Sequence, residues 1–380
     1  MSHRTTYQAA RAVAPAIEQH FASLLEEARQ QDAQDLAHGP QAEVIEALAN
    51  AAFWASLLHE EGLSPKISIA YLSPEQSPQP LLFEKPFTLT PGILTKLAPA
   101  VERPGIHLGV WQNGDKLQLW GATRLIPSLC FVLEVIEPGL LVVKHRRLDG
   151  LGKFVNVAVL RGEEVKIVDE NSGSQPDCPN LLSSLLGLST AASWSDSVNV
   201  LVQLAISMRD HGRGGTLLVV PAGTTAWRKS IMHPITYSVA PAYAALTDLM
   251  RQEKSDRKGS AWQDTLRRAI DGVAGLTAVD GATIISDSYE LLAFGAKIGR
   301  PEGSAPVSQI TMTEPIVGGE AVVTNPALHG GTRHLSAAQF VHDQRDALAL
   351  VASQDGRFTI FAWSPCENMV HAHRIDSLLL

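Results

Sequence analysis

A change of sequence pattern near the middle of the 380-residue chain most constrains how it can fold. Residues 67–170 carry short apolar runs separated by turns such as QNGD and EPG, a pattern typical of hairpins in an antiparallel sheet. After residue 190 apolar helices and strands alternate, which indicates an α/β domain. The segment between them, ENSGSQPDCPN at residues 170–180, is rich in turn-forming residues. We therefore predict two folding units joined by a linker.

The two units are expected to differ in architecture, within an overall α/β fold class. Residues 1–170 are predicted to be an α+β module, with helices over the first sixty or so residues, then antiparallel strands and one helix at PGILTKLAPAV. Pro15 should kink or restart the first helix, because proline lacks an amide donor. Residues 171–190 form the predicted linker region, and residues 191–380 the second unit. Its helices are predicted at VNVLVQLAISMRD, APAYAALTDLMRQ and AWQDTLRRAIDGVAG.

Composition and charge exclude several classes of function. A hydrophobic content of 45% predicts a large core, and a formal net charge of −8 argues against sequence-independent binding of DNA or RNA. The N-terminus lacks the apolar core of a secretion signal, and the most apolar stretch, LCFVLEVIEPGLLVV, is interrupted by glutamate and proline. The three cysteines are far apart, without metal-finger spacing, as in a reducing compartment. We expect a cytoplasmic protein that binds neither nucleic acid nor membrane.

The stretch HGGTRHLSAAQF, residues 329–340, carries the features of an anion site. Glycine lets the backbone approach a ligand, and the first amides of the following helix are free to donate to a negative group. Arg333 can bind phosphate oxygens with its planar guanidinium, while Thr332 and His334 add donors. A solvated helix cap would account for the same residues without a ligand. Among anions, phosphate fits the motif best.

Three other motifs have simpler interpretations when each is taken alone. GRGG at 212–215 lacks the Lys-Ser/Thr of a phosphate loop and follows a helix, so it indicates a helix end. HAHR at 371–374 would place two histidines on one face of a strand, but no third metal ligand is evident, and we interpret it as a solvated C-terminal strand. VDGATIIS at 279–286 sets an Asp-Gly pair before an apolar strand, as a tight turn does.

Together, the DGA of residues 280–282 and the GTRH of residues 331–334 resemble the paired signatures of the diadenylate cyclase (DAC) domain, Asp-Gly-Ala and Gly-Thr-Arg-His-Arg. VNVLVQLAISMRDHGRGGTLLVV and DALALVASQDGRFTIF are similar to that family's opening helix and strand and its closing hairpin, so the resemblance covers residues 195–365. Leu335 stands where the family has its final arginine, and the segment between Pro221 and Asp280 is atypical. HGRGGTLLVVP and WRKSI, beside an N-terminal module, are closer to the DACNV-type branch, whose members are regarded as nucleotide sensors.

The resemblance implies a central mixed β-sheet flanked by helices, with a nucleotide site. Asp280 would hold Mg²⁺ or Mn²⁺, with Asp355 as a weak second carboxylate. Gly281 and Ala282 would line the nucleoside pocket, and the GTRH residues would bind phosphates. The residues that the resemblance assigns to nucleotide binding are Asp280, Gly281, Ala282, Gly331, Thr332, Arg333 and His334.

The resemblance leaves three functions open. In active cyclases two subunits meet face to face, and each ATP 3′-hydroxyl attacks the α-phosphate of the other ATP, so a homodimer is implied. Leu335 removes a charge-assisted phosphate contact worth about 1.5–3 kcal/mol, a loss that binding can survive better than catalysis. A sensor of ATP or a cyclic dinucleotide is therefore expected first. The retained Asp280 supports the alternative, an active diadenylate cyclase, and a scaffold with an unused site is the third function.

Overall fold

The computed structural model gives a backbone in two compact units. The first contains the described residues up to Asp169, with Leu380, and the second contains those from residue 199 to Leu379. Both are mixed α/β, which confirms the predicted fold class. The predicted linker, Cys178, His329 and Gly330 lie outside the described residues. The structure describes residues 6–114, 116–148, 154–169, 199–252, 260–328 and 331–380.

The first unit is built on an eight-stranded sheet with the strand order β2-β4-β3-β1-β5-β6-β7-β8. Among its described strands only β1 and β3 pair in parallel, so the predicted antiparallel character is confirmed. Its helices are α1 (Gln8–Gln30), α2 (Ala42–Ser56) and α3 (Pro91–Val101). Its strands are β1 (Ile67–Tyr71), β2 (Leu81–Thr88), β3 (His107–Asn113), β4 (Lys116–Thr123), β5 (Phe131–Glu137), β6 (Leu140–Arg146), β7 (Phe154–Arg161) and β8 (Glu164–Ile167).

Apolar side chains from the three helices cover one face of this sheet. Ile17 and Phe21 of α1 are fully buried in one cluster with Phe131 and Leu133 of β5. Each such side chain contributes about 1.5–3 kcal/mol when it leaves water. The expectation that Pro15 restarts the helix is wrong, because α1 is continuous through it. Pro15 is exposed, so the carbonyl group left without an amide partner can bond to water.

The second unit is built on a nine-stranded sheet with the order β10-β12-β11-β9-β15-β16-β17-β13-β14. The pairs β9–β11 and β13–β17 are parallel and the other described pairs antiparallel. Its helices are α4 (Val200–Asp210), α5 (Ala245–Arg251), α6 (Ser260–Leu276), α7 (Thr332–Asp343) and α8 (Asp376–Leu379). Its strands are β9 (Gly215–Val220), β10 (Tyr237–Tyr243), β11 (Ala282–Ser286), β12 (Leu291–Ala296), β13 (Ile310–Thr313), β14 (Val322–Thr324), β15 (Leu348–Ala352), β16 (Phe358–Ser364) and β17 (Met369–Arg374).

Two predictions for the second unit are wrong in detail. The stretch APAYAALTDLMRQ is not one helix, because its first residues belong to the edge strand β10 and only α5 is helical. The HAHR strand β17 is not solvated but lies inside the sheet between β16 and β13, with His371 and His373 buried. His371 Nε2 lies 2.7 Å from Glu367 Oε2, and His373 Nδ1 lies 2.7 Å from Thr313 Oγ1. In the described part of the chain no helix is both long and apolar enough to cross a membrane.

Buried histidines give both units a common sensitivity to acid. Burial lowers the pKa of His107 and of His145 to about 4, and that of His373 to about 3. His107 Nδ1 lies 2.7 Å from Ser68 Oγ, so the neutral ring keeps a hydrogen-bond partner inside the sheet. Protonating any of these rings places a positive charge in a site with little water, which destabilises the folded state.

Stability should therefore fall as the pH drops from about 6.5 to about 4. The pKa of His107 in the folded state lies below its ordinary value of 6.5, so the unfolded chain binds protons more readily than the folded chain. The stability present above pH 6.5 is therefore lost as the pH falls towards the pKa of the folded state. For His107 this loss amounts to roughly 3 kcal/mol. Urea unfolding across this range should show a smaller acid decline in His107→Gln, whereas exposed His59→Gln should behave as wild type. Identical declines in all three proteins would contradict the assignment.

Candidate functional site

Strands β9 and β11 pair in parallel, so the loops that precede them lie side by side. Both loops lie at the edge of the second sheet that is formed by the ends of the strands. Ala282 pairs with Thr216, so Gly214 and Asp280, which precede these pairs, lie at the same edge. Strand β15 runs antiparallel to β9 with Ala352 opposite Gly215, so the turn after β15 lies there as well. We call this region the polar edge and define it by Arg213, Gly214, Asp280, Lys297, Arg333, Asp355 and Arg357.

Helix α7 begins at the polar edge and delivers Arg333 to it. A Cβ placed on Gly214 would lie 2.7 Å from Arg333 Nη1 and 3.1 Å from the carbonyl oxygen of Ala352, so the guanidinium lies directly beside this glycine. Gly214 also has φ +68°, a conformation that favours glycine. Arg333 is exposed and makes no hydrogen bond or ion pair with any described residue. Gly331 is the N-cap and Thr332, next to it, is exposed. The arrangement places an arginine without a described partner beside a helix start that no side chain caps.

Asp280 contributes an exposed carboxylate to the same edge. Its side chain is 92% exposed, and Oδ2 lies 3.9 Å from Lys297 Nζ, which is a weak, solvent-screened pair. Gly281 has φ +108°, and a Cβ there would lie 2.6 Å from the carbonyl carbon of Gly295, so the turn requires a glycine. Ala282, by contrast, is buried and packs into the core. Asp280 is thus free to bind a cation.

His334 does not join Thr332 and Arg333 at the surface. Its ring is buried, with Nε2 3.4 Å from Thr359 Oγ1 and its centroid 5.8 Å from that of Phe361. Burial lowers the pKa of His334, although the charge of Asp355 partly opposes this effect. Successive residues of a helix point about 100° apart, so three in a row cannot share one direction. His334 therefore anchors the first turn of α7 to the sheet.

Asp355 is separated from Asp280 and stabilises a turn. Strand β9 lies between β11 and β15, which lead to the two residues, so these two strands are about 10 Å apart. Asp355 Oδ1 accepts a hydrogen bond from the Arg357 amide at 3.3 Å, and Oδ2 lies 3.4 Å from Arg357 Nε. No group of three or more histidine, cysteine, aspartate or glutamate side chains in the described residues can hold a metal ion. Among the described residues, Asp280 and Asp355 therefore do not belong to a metal site built from protein side chains.

Cationic side chains outnumber carboxylates at the polar edge, in a chain whose net charge is −8. Sequence reasoning did not assign a ligand-binding role to Gly214 or Lys297, although the GRGG motif was a signal for the first. Such a cluster raises the local concentration of anions. Its cations are Arg213, Lys297, Arg333 and Arg357, all exposed.

The fold and the polar edge define a two-unit α/β protein with an exposed, cation-rich surface beside a carboxylate. The family described as Probable sensor domain DACNV matches residues 34–124, which contain α2, α3 and β1–β4 of the first unit. This match supports a sensor role. The motifs that resemble the cyclase signatures lie in the second unit, outside the matched residues. A search of curated proteins found no match.

The contact between Gly214 and Arg333 can be tested with a neighbouring glycine as control. Gly212 and Gly214 both have positive φ, so alanine at either site costs roughly 1–2 kcal/mol of strain. A Cβ on Gly212 meets nothing within 4 Å. Gly214→Ala should therefore lower the urea midpoint more than Gly212→Ala, and adding Arg333→Ala should recover part of the difference. Equal destabilisation by the two alanines would argue against the contact.

Proposed function

We propose that the protein is a nucleotide sensor whose second unit binds the phosphate groups of ATP or a cyclic dinucleotide at the polar edge. The observation that carries this proposal is the Arg333 guanidinium, held over Gly214 at the start of α7 without a partner among the described residues. A free guanidinium at a helix N-terminus is well suited to bind phosphate, because its planar donors and the helix amides act together. The resemblance to DAC signatures and the match of the first unit to a probable sensor domain support the same function.

The other motif residues take roles that follow from their positions. The Thr332 hydroxyl is exposed beside Arg333 and adds a donor for phosphate. Gly281 shapes the turn that presents Asp280, since a side chain there would meet the Gly295 backbone. Asp280 holds the divalent ion that accompanies a nucleotide, Mg²⁺ or Mn²⁺. His334 positions Arg333 by anchoring the helix turn and does not touch the ligand.

An active diadenylate cyclase is the second candidate function, favoured by the exposed Asp280 carboxylate at the same edge as Arg333. When bound, a divalent ion neutralises charge on the reacting phosphates. Leu335, 38% exposed, stands where the resemblance expects a second arginine, so the site has one phosphate donor fewer. The reaction also needs two copies of the chain face to face. The missing donor makes sensing the first choice.

Removing the Arg333 guanidinium should weaken nucleotide binding roughly 10- to 100-fold, because a charge-assisted phosphate contact is worth about 1.5–3 kcal/mol. The measurement is calorimetric titration of the full chain with ATP and with cyclic di-AMP, for wild type and Arg333→Ala. The matched control is Arg267→Ala on α6, an exposed arginine without a hydrogen bond or ion pair among the described residues. Equal losses in both variants, or no binding and no thermal stabilisation by either nucleotide, would overturn the proposal.

The two candidate functions are separated by a product assay. Purified protein is incubated with ATP and Mn²⁺ or Mg²⁺, and cyclic di-AMP is sought by chromatography. We expect no product, together with nucleotide-dependent thermal stabilisation. Product that disappears in Asp280→Asn would establish the cyclase and end the sensor-only interpretation.

A further inference from the structure

An exposed aromatic pair lies beside the Asp280 turn. Tyr237 lies on the edge strand β10 directly opposite Phe294 of β12, and their rings stack with centroids 4.8 Å apart and planes 4° from parallel. Tyr237 is nevertheless 46% exposed, so Phe294 supports one side of a ring that remains open to solvent. An exposed aromatic ring held rigidly in this way is available for contact with a ligand.

Two glycines connect this ring to the Asp280 turn. A Cβ on Gly281 would lie 2.6 Å from the carbonyl carbon of Gly295, and a Cβ on Gly295 would lie 2.8 Å from Tyr237 Cδ2. The two backbones and the aromatic ring are therefore in close succession, with no side chain between them. In space, Gly295 lies between the ring of Tyr237 and the turn that presents Asp280.

The position of Tyr237 is not explained by packing or by the family resemblance. An edge-strand side chain that is half exposed buries little apolar area. The segment between Pro221 and Asp280, which contains Tyr237, is the part of the second unit that is atypical of cyclases, so the resemblance gives Tyr237 no role. In the sheet order, β10 and β9 are three strand spacings apart, or about 14 Å. Tyr237 lies on the face of the sheet that carries α4 and α6, whereas α7 packs on the other face, so a nucleotide that contacts both Tyr237 and Arg333 crosses the end of the sheet at the Asp280 turn.

We propose that Tyr237, supported by Phe294, is the surface on which the base of the bound nucleotide stacks. This inference rests on the proposed function, since the phosphates of the same nucleotide bind at Arg333. Stacking on an aromatic ring suits any base, because every base has a π-face, and removing such a ring weakens binding by about 5- to 100-fold. Tyr237 supplies affinity for the base, and Arg333 supplies affinity for the phosphates.

The experiment compares ligands with and without a base on the full chain. ATP and cyclic di-AMP are the nucleotide probes, and inorganic triphosphate is the base-free probe. Tyr237→Ala should weaken nucleotide binding about 5- to 100-fold and leave triphosphate binding unchanged, while Tyr237→Phe should bind as wild type. The matched control is Tyr243→Ala, a 53% exposed tyrosine on β10 near the opposite end of the sheet. Thermal unfolding of each variant verifies that it is folded.

Each possible result supports or overturns the proposal that the base stacks on Tyr237. Wild type that binds triphosphate as tightly as ATP, without binding cyclic di-AMP, overturns the stacking surface and leaves the phosphate site standing. Tyr237→Ala that binds nucleotides normally, or that loses nucleotides and triphosphate equally, also overturns the stacking surface. Wild type that binds none of the three probes overturns the proposed function and the stacking surface with it.

Discussion

The contact of Arg333 with Gly214 is the feature on which the candidate site depends. The register of β9 with β11 places Gly214 and Asp280 at one edge, and α7 begins beside them. A side chain at position 214 would occupy the space that the guanidinium fills. Because Arg333 makes no ion pair with any described residue, its charge remains available to a ligand. An arginine neutralised by a carboxylate would offer a phosphate much less.

The chemistry of the site could be predicted from the sequence more fully than its geometry. The residue types of DGA and GTRH indicated an anion site with a carboxylate, and the structure puts Asp280 and Arg333 at the same edge of one sheet. The role of Gly214 could not be predicted, because it depends on a contact between residues 119 positions apart. His334 shows the limit of motif reasoning, since neighbouring helix residues point in different directions and only the fold decides which one is buried.

The mistakes about secondary structure have a similar origin. Residues Tyr237–Tyr243 lack the alternation of apolar and polar residues that indicates a strand, because an edge strand is solvated on one side. The alanines around them also favour the prediction of a helix. His371 and His373 were expected on a solvated strand because no third metal ligand was evident, yet each ring has a polar side chain within hydrogen-bond distance inside the sheet. The partner of His373 is Thr313, 60 positions away, and a hydrogen bond over that separation leaves no local mark on a sequence.

Whether this site suits a sensor or a cyclase depends on the arginine that Leu335 replaces, and on whether its charge matters more for binding or for the transition state. Binding a nucleotide requires contacts with phosphates in the ground state, and in the proposed function Arg333, Thr332 and the start of α7 would supply several of them. Catalysis requires contacts that become stronger as charge develops in the transition state. Leu335 removes one cationic donor from the place where the cyclase signature has it, so the loss affects rate more than affinity. Under the proposed function the site would bind a nucleotide better than it would catalyse its reaction, and the match of residues 34–124 to a probable sensor domain is consistent with that use.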